Sequence, residues 1–251
     1  MQHVSERSDN REETLTEAHA IAYQHDGVAL KGEVVVPRGK GPHRAILVMS
    51  NAHGLGEQAR RQANSLAALG YIALATDMYG GGIFHCNPKD AGGSLGPLLD
   101  DPARLRARVL TWYEVLKARP DVDPKRIAAI GYCFGGMCVL ELARSGADVK
   151  CVTSFHGLLK TTMKAQPGSV RARVAVFTGG KDPYAPPADV DAFKSEMVAA
   201  GARWQITVFG EALHAFTDRS AGTFGLPGLG YDPVADRVSW AATLALLDAT
   251  L

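Results

Sequence analysis

A chain of 251 residues, 46% apolar and 21% charged, has material for one large α/β domain and the composition of an ordinary soluble protein. Its net charge of +1 supplies no field to gather nucleic acid or an anionic membrane, and no basic cluster forms a nucleic-acid footprint. No apolar run approaches the roughly 18 residues needed to cross a bilayer, and the opening MQHVSERSDNREET lacks the apolar core of a signal peptide or anchor.

Residues 1–17 read as a disordered tail, which leaves 18–251 as a single domain. Two strands at 21–23 and 30–36 form a leading hairpin turned at Asp26-Gly27, and Pro37 ends it. The continuous apolar run at 44–49 has the signature of a strand buried on both faces. A helix follows at 58–69, with Ala59, Ala63, Leu66 and Ala67 on one stripe and Gly70 closing it. The next strand is 71–76. A Gly-rich excursion at 80–101 precedes a helix at 102–118. Beyond it the pattern predicts strands at 127–130, 151–155, 172–178 and 204–209, and helices at 137–144, 188–200 and 233–247. Strands alternating with helices predict a mainly parallel central sheet with helices on both faces. In such sheets chemistry gathers just beyond the carboxyl ends of the strands.

One of those strand ends carries Gly131-Tyr132-Cys133-Phe134-Gly135-Gly136 between the 127–130 strand and the 137–144 helix. A strand-to-helix turn this tight strains its central residue and thrusts that side chain above the sheet, while Gly131 and Gly135 avoid collisions with neighbouring backbone. It also sets Cys133 at a helix N-terminus, which favours thiolate over thiol. The competing reading is a buried cysteine in an ordinary βα turn. Of the four cysteines, Cys86, Cys133, Cys138 and Cys151, none forms a paired CxxC spacing, so a metal site is not expected. Cys138 and Cys151 read as core residues, and the cysteine usage predicts a reduced, cytoplasmic setting.

A thiol nucleophile needs a base, and the base needs an orienting acid. His214 follows the last strand, and Asp182 follows the 172–178 strand in Gly179-Gly-Lys-Asp-Pro183. The order nucleophile, acid, histidine is the one used on α/β-hydrolase scaffolds. His156 and His53 also fall on the active rim, but His156 precedes the acid and reads as a pocket residue. Asp77 ends a strand too, where an aspartate more often caps a turn.

These motifs, together with Thr76-Asp-Met-Tyr79, Ser154-Phe-His-Gly157 and His214-Ala-Phe216, make the chain resemble the dienelactone hydrolase family from about Ala18 to Leu251. The resemblance implies an α/β-hydrolase fold and cleavage of small esters or enol-lactones through an acyl-thioester, without metal or organic cofactor. It makes Cys133 the nucleophile, Asp182 the orienting acid and His214 the base. The oxyanion hole then uses the backbone N–H of Phe134 and, from the loop after the 44–49 strand, that of Ala52.

Two positions depart from the founding pattern. Founding members carry a glutamate against the resting thiol where this chain has Asn51, with Glu57 the nearest carboxylate in sequence. They also hold the substrate carboxylate with an arginine whose counterpart here is Asp218, with Arg219 one residue on. Asn51, His53, His156 and Arg219 are therefore the candidate substrate contacts, and the 80–101 excursion, with His85 and Cys86, is expected to cap the pocket. The alternatives are a thioesterase or peptidase on the same triad, or a non-catalytic redox-sensing or binding protein built on Cys133. Oligomeric state is not encoded in any motif.

Overall fold

The computed structural model describes residues 17–251. The tail expected over 1–17 lies outside the described residues, save that Glu17 opens the first strand. Strands β1 (Glu17–His25) and β2 (Val28–Val36) form the predicted hairpin. Asp26 and Gly27 turn it with φ of 52° and 72°. Two consecutive positive φ values make the tight turn whose twist matches that of the paired strands, and Asp-Gly adopts it at little cost.

The chain then runs through β3 (His43–Met49), α1 (Glu57–Ala68), β4 (Ile72–Ala75), α2 (Pro88–Leu99), α3 (Pro102–Lys117), β5 (Val122–Tyr132) and α4 (Phe134–Arg144). It continues with β6 (Cys151–Phe155), β7 (Arg173–Gly179), α5 (Pro187–Ala199), β8 (Arg203–Phe209), a 3-10 turn at Ala221–Phe224 and α6 (Pro233–Thr250). The eight strands form one sheet in the order β1-β2-β4-β3-β5-β6-β7-β8. The pairs β1–β2 and β2–β4 are antiparallel, and every pairing from β4 to β8 is parallel. This is the α/β-hydrolase fold.

The apolar strand runs follow from the two covered faces. Ala45, Leu47 and Met49 pack with α3, α4 and α5 on one side, while Ile46 and Val48 pack with α1 and α6 on the other. Each of these five side chains is fully buried, so alternation cannot separate a solvent face from a core face in β3. The far end of the elbow helix is pinned by a buried ion pair: Arg144 donates from Nε and Nη2 to the two carboxylate oxygens of Glu196 in α5, each at 2.9 Å.

Besides β1, which spans Glu17–His25 where 21–23 was expected, and α4, which starts at Phe134 rather than 137, two elements differ from the sequence expectation in kind or by a long stretch. Half of the 80–101 excursion is helix α2, started by Asn87, whose side chain accepts the Asp90 N–H, with Pro88 in the first turn. Its Gly92, Gly93, Gly96 and Pro97 gave the segment the composition of a loop. Strand β5 begins at Val122 rather than Ile127, because His43 pairs with Val122 and Ala45 with Ile127, leaving a polar detour between them.

Candidate active site

The elbow between β5 and α4 has no room for side chains. A Cβ added to Gly131 would lie 2.0 Å from the Gly135 carbonyl oxygen, and one added to Gly135 would lie 2.1 Å from that of Met49. Cys133 sits between them at φ 53°, ψ −116°, as the residue before the first turn of α4. Its strain is not isolated. Of the four non-glycine residues with positive φ among those described, three are Cys133, His156 and Ala215, and all belong to this site.

The expected side chains meet here. His214 Nδ1 lies 2.8 Å from Asp182 Oδ2, and both side chains are buried. The other Asp182 oxygen accepts the Tyr184 N–H at 2.8 Å, which fixes the carboxylate plane. The groups that act on the Cys133 thiol as donors are the His214 side chain and the backbone N–H groups of Phe134 and Ala52. Burial alone would push the thiol up, but the His214 charge and these hydrogen bonds outweigh it and hold Cys133 below its ordinary value. Burial would likewise strip His214 of its proton, yet the Cys133 charge and then the Asp182 hydrogen bond raise it to about 10. The two shifts are coupled, each group favouring the charged form of the other, and both lean toward a thiolate–imidazolium pair.

His156 plays a different part. Its Nδ1 accepts the Cys133 N–H at 3.2 Å, a proton that the Phe155 carbonyl shares at 3.0 Å. Its Nε2 lies 2.8 Å from Thr217 Oγ1. Burial first, then the charge on His214, hold His156 well below the ordinary histidine range. A neutral ring with Nδ1 accepting carries its proton on Nε2, so Thr217 is its acceptor. The Asn51 amide is engaged by its own loop and by α1: its Oδ1 accepts the His53 N–H and its Nδ2 donates to Gln58 Oε1, each at 2.9 Å. Gln58 Nε2 in turn reaches Thr217 Oγ1 at 3.4 Å. The loop that presents the Ala52 N–H is held further by the Tyr79 hydroxyl, which donates to the Ala52 carbonyl at 2.8 Å. The rival acid Asp77 is buried and accepts four backbone N–H groups, from Lys31, Tyr79, Gly80 and Gly82. It is a turn anchor.

The thiol opens into a cavity of about 300 Å³ that Asn51, His53 and His156 help to line. Helix α2 covers one side with Pro88, Ala91, Gly92 and Leu95, and Leu226 and Leu229 approach from the segment after the 3-10 turn. His53 stacks on Phe224 at 4.7 Å between ring centroids and holds the His85 carbonyl with Nδ1 at 2.7 Å. Arg219, expected as a substrate contact, does not line this cavity: its guanidinium lies 5.8 Å over the Tyr231 ring and borders two neighbouring chambers. Asp218 lines the cavity in its place. Glu57 borders only a neighbouring chamber, so it does not replace the missing carboxylate. Cys86 is exposed, whereas Cys138 and Cys151 are buried. No group of three or more His, Cys, Asp or Glu among the described residues could hold a metal ion.

Gln58, Thr217 and Tyr79 were not foreseen, because each acts through a contact distant in sequence, and Tyr184 because it holds Asp182 with a backbone N–H that any residue but proline could supply. Thr217 directly follows His214-Ala-Phe216, and its place on the rim was the one available signal.

The dienelactone hydrolase family model matches residues 30–251. This chain belongs to that family. A solved structure described as a dienelactone hydrolase-like promiscuous phosphotriesterase, P91, from metagenomic libraries superposes with a TM-score of 0.90. It is 35% identical, covering 94% of this chain and 98% of the other. A Caenorhabditis elegans relative named "Uncharacterized protein K02A2.1" is 35% identical over 59% of this chain and 95% of its own. A Bradyrhizobium protein named "Probable 2-oxo-3-(5-oxofuran-2-ylidene)propanoate lactonase" is 25% identical over 81% of this chain and 82% of its own. The family member described here is therefore a hydrolase of the class that cleaves esters and enol-lactones. No helix among its described residues is long and apolar enough to cross a membrane.

Proposed function

We propose that this hydrolase cleaves a small ester or enol-lactone by acyl transfer to Cys133, with His214 as acid and base and Asp182 as its orienting partner. The observation that carries the reading is that Cys133, held at φ 53° on the elbow, opens on the same cavity as His214, whose Nδ1 lies 2.8 Å from Asp182 Oδ2. The thiolate attacks the carbonyl carbon, the carbonyl electron pair moves onto oxygen, and the negative charge passes from sulfur to the oxyanion within the same cradle of donors. The oxyanion collapses, and the imidazolium of His214 hands its proton to the departing alkoxide or enolate. That leaves a thioester on Cys133 and a neutral His214. Water then gives a proton to His214 as it attacks the thioester, a second oxyanion forms, and its collapse releases the acid and restores the thiolate–imidazolium pair.

His214, held by Asp182, argues for acyl transfer over redox sensing, since a sensor thiol has no use for an oriented base. A cavity of about 300 Å³, at the lower end of small-molecule sites, suits a compact ester better than a peptide chain. A cytoplasmic location fits the same reading, because the nucleophile has to stay unpaired and all four cysteines are free.

The test is a panel of p-nitrophenyl esters, lactones, acyl-thioesters and a phosphotriester, the last because of the P91 likeness, assayed with wild type and Cys133→Ala. Hydrolysis of carboxylic esters or lactones by wild type, lowered at least about 10⁴-fold in the variant, is expected. Equal rates for the two proteins would defeat the assignment.

A further inference from the structure

We propose that the substrate is an uncharged ester with an apolar acyl group, that a free carboxylate is selected against, and that Gly92 on α2 sets the size of group admitted. This deepens the acyl-transfer reading and rests on it.

The cavity wall selects against negative charge. Among its lining residues there is no lysine or arginine, and the imidazolium of His214 is already engaged by the Cys133 sulfur and by Asp182. Arg219, the basic side chain next to Asp218, faces away over Tyr231. A substrate carboxylate entering here would lose water and find no cation to pair with. It would also meet a charge of its own sign, since Asp218 is part of the wall. The Asp218 Oδ1 accepts the Ser220 N–H at 2.9 Å and the Ser220 hydroxyl at 2.6 Å, which fixes the carboxylate where it is. Leu95, Leu158, Leu226 and Leu229 supply the surface that an apolar group would cover.

Helix α2 gauges size. Gly92 lines the cavity in helical backbone, and a Cβ built on it has no atom within 4 Å. Glycine in a helix is conformationally costly, and no close approach of backbone requires it here. What its absent side chain leaves is room at the cavity wall. A larger residue at this position would occupy that room without disturbing the helix, which leucine favours more than glycine does.

The experiment compares p-nitrophenyl butyrate with p-nitrophenyl hemisuccinate, in which a carboxylate stands where the methyl was, each kcat/KM being divided by the hydroxide-catalysed rate. Wild type should favour butyrate by on the order of tenfold or more. Asp218→Asn, or a rise from low to high salt, should narrow that ratio, and Arg219→Ala should leave it in place. Equal or better use of the hemisuccinate, or a ratio that responds to Arg219→Ala and not to Asp218→Asn, would overturn the charge selection. Gly92→Leu should lower kcat/KM for the octanoate relative to the acetate several-fold, and an unchanged ratio would overturn the size gauge. Cys133→Ala run in parallel separates the two levels of the account. Activity surviving in that variant would sink the acyl-transfer reading and this inference with it, while a hemisuccinate preference that Cys133→Ala abolishes would sink this inference alone.

Discussion

The elbow at β5–α4 and the α2 cap face each other across one cavity and are built on opposite principles. In the elbow, glycine is present because backbone occupies the space: an added Cβ on Gly131 or Gly135 would sit about 2 Å from a main-chain oxygen. In the cap, Cβ atoms on Gly92, Gly93 and Gly96 would each meet nothing within 4 Å. The same residue type thus serves geometry at the elbow and, at Gly92, vacancy at the cavity wall, whereas Gly93 and Gly96 stand outside the cavity lining. The elbow wall is over-determined, which is how Cys133 at φ 53° and its neighbour His156 at φ 39° persist. The cap can vary in side-chain volume without touching the chemistry.

The comparison breaks first at Gly135. Gly135→Ala sets a methyl against main-chain atoms of Met49 and Ser50, which cannot swing aside. It should destabilise the fold by more than about 3 kcal/mol, or give folded protein without activity. Native-like melting and turnover in that variant would show the elbow to be far more compliant than its geometry implies.

The orienting acid comes next. Asp182→Asn keeps the shape but removes the charge behind His214, and kcat should fall by about 10²–10⁴ with modest change in stability. A loss below threefold would mean that the 2.8 Å contact does not orient the base.

The ion pair predicts a pH signature of intermediate size. Because Cys133 is depressed, iodoacetamide should alkylate it at pH values below the ~8.5 of a free thiol, and the reaction should be lost as pH falls through that lowered value. Because His214 is raised to about 10, ester hydrolysis should fall as pH rises through that range and the leaving-group acid is lost. Asn51→Glu introduces a negative charge on the loop beside the thiolate, which should raise the Cys133 value and slow alkylation at neutral pH several-fold. Alkylation with the midpoint of an ordinary thiol would contradict the resting pair.

The smallest effect belongs to the cap. Gly93→Ala fills open space in α2 and should raise stability by roughly 0.5–1 kcal/mol, read as a small increase in Tm. A decrease would mean that this glycine, unlike its neighbour Gly92, answers to a constraint like the elbow's.

The same contrast accounts for what could be read in the sequence. The elbow, Asp182 and His214 were legible because their chemistry is tied to short local motifs at strand ends, and the alternation of elements orders them along one sheet edge. The Asp-Gly hairpin and the strand at 151–155 were legible for the same reason. Helix α2 was not, because vacancy has no motif: glycines kept for room have the composition of a loop, and the Asn87-Pro88 start was the one signal against that reading. A straight count along the chain gave Asp218, and Arg219 was expected in the pocket through a shift of one residue. One position of offset decides which side of the loop a side chain takes, and Tyr231 holds this one on the far side. The Asn51–Gln58–Thr217–His156 contacts span up to 159 positions between partners, and spacing along the chain cannot foretell them.

The central claim is that the acyl group passes through Cys133. Intact-mass and peptide-mapping spectrometry after rapid acid quench, during turnover of a slowly deacylated ester, tests it most directly. The account predicts one acyl mass added to the protein and located on the peptide that carries Cys133, absent in Cys133→Ala and chased away as substrate is exhausted. An adduct on another residue, or turnover by Cys133→Ala at the wild-type rate, would contradict it.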